Sequence, residues 1–85
     1  MFQNLDHIAM AVRNIDEKRQ IFENLLSFTF LSEEIIETEK VKVVYLKSPG
    51  TKIELIQPLE GNQSLTKFLE KKGEAIHHIC YLVSN

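Results

Sequence analysis

The fold of this chain is decided by the stretch LDHIAMAV at residues 5–12, because a similar pattern, IHHICYLV, returns at residues 76–83. At a constant offset of 71 positions, the matched pairs are His7 with His78, Ile8 with Ile79, and Val12 with Val83. A unit that begins again just before residue 85 predicts a fold made of two modules, of which these residues hold one and a fraction.

The two stretches also predict which side chains share a face, because side chains alternate along a strand. In the first stretch, one face carries His7 with two alanines, and the other carries larger apolar side chains. In the second stretch, His78 shares its face with Cys80 and Leu82. Cys80 is interpreted as a small hydrophobic core residue, since no histidine is placed by spacing to activate its thiol.

Composition fits one small globular domain of 85 residues, with 44% hydrophobic and 26% charged residues. The net charge of -2 gives no reason to expect a nucleic-acid partner. The single cysteine excludes an internal disulfide and fits a reducing compartment. The first residues show no basic region followed by an apolar run, and no stretch is long enough to cross a bilayer. We therefore expect a cytoplasmic protein with no membrane partner.

The predicted order of elements is β-α-β-β-β, a short linking helix and a lone strand, which is an α+β fold. Asn14 is the expected N-cap of a helix over residues 15–26. The apolar side of that helix, expected to cover the Ile8 face of the first strand, comprises Ile15, Ile21, Phe22, Leu25 and Leu26. Further strands are predicted at residues 28–36, 41–46 and 52–57, and the short helix runs from Ser64 to a stop at Gly73.

Three side chains form the candidate site: His7, Glu54 and His78. In the strand at residues 52–57, Ile53 and Leu55 are apolar and should face the helix, which turns Glu54 to the face that His7 occupies. Two imidazoles and a carboxylate are typical ligands of a divalent ion such as Co, Mn, Ni or Zn. Three protein ligands leave a six-coordinate shell open, so further ligands or waters would be required. Taken alone, each residue is more often a solvated or hydrogen-bonded side chain than a ligand, so the case for a site rests on the face that the three share.

Other polar residues are weaker candidates. Alternation places Gln57 on the helix side, and it turns His77 away from His78, so the adjacent histidines should not chelate one ion. The charged group on the short helix is interpreted as its solvated face, with phosphate binding as the alternative; it comprises Lys67, Glu70, Lys71 and Lys72.

Three segments together carry a family resemblance: residues 5–12, TKIELIQPL at residues 51–59, and KFLEKKGEAIHHIC at residues 67–80. They resemble the methylmalonyl-CoA epimerases, which belong to the vicinal oxygen chelate superfamily with glyoxalase I and the bleomycin-resistance proteins. The resemblance covers about the first half of that family's domain. It implies that residues 1–73 form a first βαβββ module with its linking helix, and that residues 74–85 open a truncated second module.

The resemblance also implies roles for residues. His7, Glu54 and His78 would be metal ligands, while the family's fourth ligand, a glutamate at the end of the second module, has no counterpart in these residues. A carboxylate that serves as a base in some members corresponds to the apolar neighbourhood of Val43. No catalytic acid or base is therefore assigned.

The implied activity is metal-dependent epimerisation of an acyl-CoA thioester by abstraction of its α-proton. One alternative is a lactoylglutathione lyase like glyoxalase I. The other is a non-catalytic fragment or dimerising module, in which the lone strand pairs with a second copy. We expect the isolated chain to be catalytically incomplete and to form a homo-oligomer.

Overall fold

Residues 2–83 are described by the computed structural model, with side chains described for residues 6–80. Within this part of the chain, one mixed sheet and two α-helices follow in the predicted order, so the α+β class is confirmed. The elements are β1 (Phe2–Ala11), α1 (Ile15–Gln20) continued by a π-helical turn (Ile21–Leu25), β2 (Thr29–Ile36), β3 (Val41–Lys47), β4 (Lys52–Pro58), α2 (Gln63–Lys72) and β5 (Ala75–Val83). No helix within residues 2–83 has the length and apolar character that crossing a bilayer requires.

The strands of this sheet lie in the order β2-β3-β4-β1-β5. β1 runs parallel to β4, and the other neighbouring pairs in the sheet are antiparallel. The repeated stretch in β5 therefore pairs directly with its counterpart in β1. Ile8 lies opposite Ile79, and these two residues are equivalent in the repeat. A local two-fold axis thus passes between them, and this axis relates His7 of β1 to His78 of β5.

One face of the sheet packs against α1. Ile15 at the start of α1 is fully buried, and Ile8 and Met10 of β1 pack against the same cluster, as the alternation predicted. The buried members of this cluster are Val12, Ile15, Val44, Leu46, Ile53 and Leu55. Asn14 caps α1 as predicted, since its side-chain oxygen accepts a hydrogen bond from the Glu17 backbone N–H at 3.1 Å.

The predicted apolar side of the first helix is only partly correct. The α-helix ends at Gln20, and residues 21–25 form a π-helical turn instead. A π-turn is wider than an α-turn, so side chains beyond it leave the face that a period of 3.6 predicts. Phe22 still packs on the core, but Ile21, Leu25 and Leu26 are exposed.

The opposite face of the sheet packs against α2 at one end. Leu65 and Leu69 of α2 meet Ala11, Val43 and Ile56 in a second buried cluster. The helix begins after Asn62, whose side chain accepts from the Leu65 backbone N–H, and it stops at Gly73 as predicted. Gly73 has a φ of 73°, which a residue without Cβ adopts at little cost. Because α2 covers only one end of this face, the rest remains an open cleft.

Candidate metal centre

The cleft face brings together the three predicted site residues. His7 from β1, Glu54 from β4 and His78 from β5 each offer a ligand atom, and these atoms all lie within 4.8 Å of one another. His7 Nε2 lies 3.5 Å from Glu54 Oε2, and the rings of His7 and His78 are 5.9 Å apart between centroids. Glu54 is only 8% exposed, whereas His78 is exposed. Three strands thus place two imidazoles beside a buried carboxylate.

The orientation of His7 is fixed by the residue before it. Asp6 Oδ2 lies 2.7 Å from His7 Nδ1, so the ring donates its Nδ1 proton to the carboxylate and turns Nε2 towards Glu54. The same hydrogen bond is the main reason that the pKa of Asp6 is lowered, and the Lys52 ammonium adds to the effect. An imidazole whose second nitrogen donates to a carboxylate is the usual arrangement of a metal-binding histidine. Sequence reasoning overlooked Asp6, although its place next to His7 was a usable signal.

Tyr45 on β3 is a second neighbour that the sequence analysis overlooked. Burial raises the pKa of the Tyr45 phenol to about 12, and a hydrogen bond to Glu54 acts in the same direction. Tyr45 lies opposite Glu54 in the register of β3 and β4, and its ring meets the His7 ring edge-on at 6.2 Å. The phenol therefore remains protonated at neutral pH and donates to the Glu54 carboxylate.

The prediction that His77 faces away from His78 is wrong. The register of β1 with β5 shifts between Ala9, which pairs with His78, and Met10, which pairs with Ile76. His77 is thus an extra residue, a β-bulge, and a bulge interrupts the alternation on which the prediction relied. Both histidines line the cleft, with their Nδ1 atoms 2.9 Å apart.

Cys80 also differs from its predicted surroundings. It lies on the cleft side as expected, but it is half-buried and pairs with His7 in the sheet. Ligand atoms of Asp6, His7 and Cys80 lie within 4.8 Å of one another. Spacing along the chain could not show this neighbour, because His7 and Cys80 meet only through the pairing of β1 with β5.

The remaining predictions about polar residues agree with the structure. Gln57 lies on the α1 side, where its side-chain oxygen accepts a hydrogen bond from the Ile15 backbone N–H at 2.8 Å. The charged residues of α2 that were interpreted as a solvated face are exposed: Lys67, Glu70, Lys71 and Lys72.

A cavity of about 600 Å³ extends from this cluster along the cleft. Its walls are apolar along β3 and β4, where Val43 and Ile56 lie, and polar near the start of α2, where Asn62 and Ser64 lie. The full lining is Ile36, Glu39, Val41, Val43, Tyr45, Glu54, Ile56, Asn62, Ser64, Leu65, His77 and His78. A chamber of this size and mixed lining suits a small organic ligand whose reactive end reaches the histidines.

The donor set fits a divalent transition metal. Two ligand atoms at roughly 2.1 Å from a tetrahedral ion lie about 3.4 Å apart, close to the 3.5 Å between His7 Nε2 and Glu54 Oε2. That separation is longer than a well-formed hydrogen bond. Imidazole nitrogen with carboxylate oxygen suits Zn, Co, Ni or Mn. The cluster could therefore hold a metal ion, while the role of its three residues as ligands stays a prediction.

Fold and site together define a class: an α+β module whose sheet forms a cleft with a candidate metal centre at one end. The chain belongs to the Glyoxalase/Bleomycin resistance protein/Dioxygenase superfamily, whose family model matches residues 6–85.

Known relatives are longer than this chain. It is 44% identical over 78 residues to the uncharacterized protein YqjC of Bacillus subtilis strain 168, covering 92% of this chain and 56% of that protein. It is 34% identical over 86 aligned positions to the ethylmalonyl-CoA/methylmalonyl-CoA epimerase of Cereibacter sphaeroides. That alignment covers 100% of this chain and 64% of that protein. The crystal structure of methylmalonyl-CoA epimerase from Mycobacterium tuberculosis superposes with a TM-score of 0.88 at 29% identity. The superposition covers 99% of this chain and 57% of that protein. The chain thus spans between about half and two thirds of the length of these proteins.

Proposed function

We propose that this chain supplies the first module of a metal-dependent epimerase that acts on a 2-carboxyacyl-CoA thioester such as methylmalonyl-CoA. The observation that carries the proposal is the convergence of His7, Glu54 and His78 at one end of the cleft cavity. The similarity to proteins named as methylmalonyl-CoA epimerases supports the choice of substrate.

In this proposal, His7, Glu54 and His78 hold a divalent ion such as Co, Mn, Ni or Zn. When bound, the ion supplies Lewis-acid stabilisation of the negative charge that develops on the thioester and carboxylate oxygens as the α-proton leaves. Tyr45 keeps the Glu54 carboxylate in place by donating a hydrogen bond to it. The apolar wall at Val43 and Ile56 keeps water away from the carbon that loses its proton.

The two-module interpretation belongs to the same proposal. Residues 1–73 would form the first module, and residues 74–85 the opening strand of a second. The pairing of β1 with β5 about a local two-fold axis supports this division, because a second βαβββ unit would extend the sheet beyond β5. Such a unit would bring further ligands and the groups that exchange protons, for which β3 offers Val43 rather than a carboxylate.

The test measures exchange of the α-proton of methylmalonyl-CoA into heavy water, with the complete gene product that contains this chain and with added Co²⁺. We expect Glu54→Ala to lower the exchange rate at least about tenfold, because it removes the anionic member of the ligand set. The matched control is Glu60→Ala, which removes an exposed carboxylate outside the cleft lining. An absence of metal-dependent exchange in the unaltered protein would overturn the proposal.

A second candidate function is a lyase like glyoxalase I, acting on the hemithioacetal of glutathione. One observation keeps it open: the cleft wall is apolar around Val43, the neighbourhood to which the resemblance assigns a carboxylate base in some family members. Product analysis with methylglyoxal and glutathione distinguishes the two activities, because only the lyase forms lactoylglutathione.

A further inference from the structure

The two candidate histidine ligands are each preceded by a bulged residue. Leu5 pairs with Tyr81 and His7 with Cys80, so Asp6 is an extra residue in β1, just as His77 is in β5. Asp6 and His77 are 71 positions apart, which makes them equivalent in the repeat. Both halves of the strand pair thus have the same backbone irregularity directly before the histidine.

Each bulged residue also hydrogen-bonds to the histidine that follows it, through the same ring atom. Asp6 Oδ2 lies 2.7 Å from His7 Nδ1, and His77 Nδ1 lies 2.9 Å from His78 Nδ1. On β1 the direction of the bond is fixed, because an ionised carboxylate can only accept. His7 therefore carries its proton on Nδ1 and keeps a lone pair on Nε2, the atom that faces Glu54.

The bond on β5 can run in the same direction. A hydrogen bond between two imidazole Nδ1 atoms requires a proton on one and a lone pair on the other. If His78 donates, its Nε2 keeps the lone pair that a metal needs, as in His7. The orientation of the His77 ring is restricted by a second contact, because this ring meets the Phe68 ring of α2 edge-on with centroids 4.9 Å apart.

We propose that His77 is a positioning residue, which accepts the Nδ1 proton of His78 and so fixes the tautomer and orientation of that ring. His77 then does for His78 what Asp6 does for His7, with a neutral acceptor in place of an anionic one. The proposal rests on the proposed function in one respect, the assignment of His78 as a metal ligand.

The first test reads the tautomer directly, in the metal-free 85-residue chain, by two-bond ¹⁵N–¹H correlation spectra of the imidazoles. The spectra are recorded at about pH 8.5, so that neutral imidazole tautomers are compared. The variants are His77→Asn, whose side-chain oxygen replaces Nδ1 as acceptor, and His77→Leu, which has nearly the same shape and no acceptor. We expect His78 to carry its proton on Nδ1 in the unaltered chain and in His77→Asn. In His77→Leu it should shift towards the Nε2–H tautomer that free histidine favours.

The second test measures Zn²⁺ affinity by competition with a chromophoric chelator. Loss of a residue that orients a metal ligand costs about 10–100-fold in affinity, and we expect a loss of this size in His77→Leu. His77→Asn should stay within about threefold of the unaltered chain, because it keeps the bond.

The outcomes separate the two proposals. A tautomer shift in His77→Leu without Zn²⁺ binding by any variant supports the positioning role and counts against the metal site. Equal tautomers and equal affinities in the two variants overturn the positioning role, whatever the activity. Both variants lose the same ring contact with Phe68, so unfolding of both would show that His77 acts through packing and would also overturn it.

Discussion

Tyr45 is the described residue of the cleft whose pKa is shifted furthest from its ordinary value. Its phenol is partly buried between β3 and β4 and donates to Glu54, and both effects favour the neutral form. The pKa of about 12 means that Tyr45 remains a hydrogen-bond donor throughout the neutral pH range. The Glu54 carboxylate therefore has a fixed partner before any cation arrives.

This pKa predicts a late step in the alkaline titration. The folded value of about 12 lies above the ordinary value of 10.0, so the folded chain holds this proton more tightly than the unfolded chain. The resulting contribution to stability is complete below pH 10 and is lost as the pH rises through 12. We expect the ultraviolet absorbance of tyrosinate to show a component near pH 12 that is absent in Tyr45→Phe.

The chain has two tyrosines, so Tyr81→Phe is the control for this titration. It should retain the late component. A titration in which all tyrosinate forms near pH 10 would contradict the burial of Tyr45 and its bond to Glu54.

Single residues also show where sequence reasoning about the site succeeded. Glu54 was placed on the cleft face because its strand alternates regularly from Ile53 to Leu55, and a regular strand makes parity reliable. His77 was misplaced because a bulge removes parity, and the bulge depends on pairing between distant strands. The alternation of side chains along one strand could be predicted, while contacts between strands could not.

Among the elements, the π-helical turn after α1 accounts for part of the exposed apolar surface in the first half of the described residues, while β2 carries Phe30, Leu31 and Ile35. Leu25 is 78% exposed. Leu26, which a regular helix would place on the same face as Ile15, is also 52% exposed. Phe22, within the same turn, packs on Phe28 at 5.3 Å between ring centroids. Ser27 then leaves the helix in the left-handed region with a φ of 57°. Apolar composition alone could not show which residues of this turn contribute to the core.

The contrast within this turn predicts unequal costs of truncation. Phe22→Ala should lower the free energy of unfolding by on the order of 2 kcal/mol, because it removes a ring that packs on the core. Leu25→Ala should change it by less than about 0.5 kcal/mol, because that side chain already faces water. Chemical denaturation of both variants measures the difference. Equal losses would contradict the exposure of Leu25 and the packing of Phe22 on the core.

At the scale of the whole molecule, the two edge strands of the sheet differ in their protection. β2 carries the adjacent acidic residues Glu33 and Glu34, and like charges oppose pairing with a second copy. β5 has no strand beyond it within residues 2–83, and its sequence AIHHICYLV carries no Asp, Glu, Lys or Arg. β5 is therefore the edge at which another strand would add, from the same polypeptide or from a second one.

This difference predicts self-association of the isolated 85-residue chain through β5. Sedimentation equilibrium should show a dimer that forms with increasing concentration. Ile79→Lys should weaken the association at least about tenfold, because it places a charge on the joining edge. The control is Ile21→Lys, which alters a similarly exposed isoleucine on the π-helical turn. A monomer at every concentration would contradict the prediction.

The order of elements could be predicted because each boundary has a local cause, such as the Asn14 cap or the Gly73 stop. The repeat of residues 5–12 at residues 76–83 further indicated that two strands are equivalent. It could not indicate that they are neighbours, since the pairing of Ile8 with Ile79 is a contact between the two ends of the chain. Tyr45 and the contact of Cys80 with His7 were missed for the same reason, as their partners come from pairing across the sheet.

The direct pairing of β1 with β5 has a kinetic consequence. The two histidines of the cluster are 71 positions apart, so the chain must close a long loop before they can meet. Closure of such a loop is entropically unfavourable, and contacts of this kind are slow to form. A partly folded chain that contains only the hairpins of β2, β3 and β4 would lack the cluster entirely. Capture of a cation by these residues would therefore report that β1 and β5 had paired.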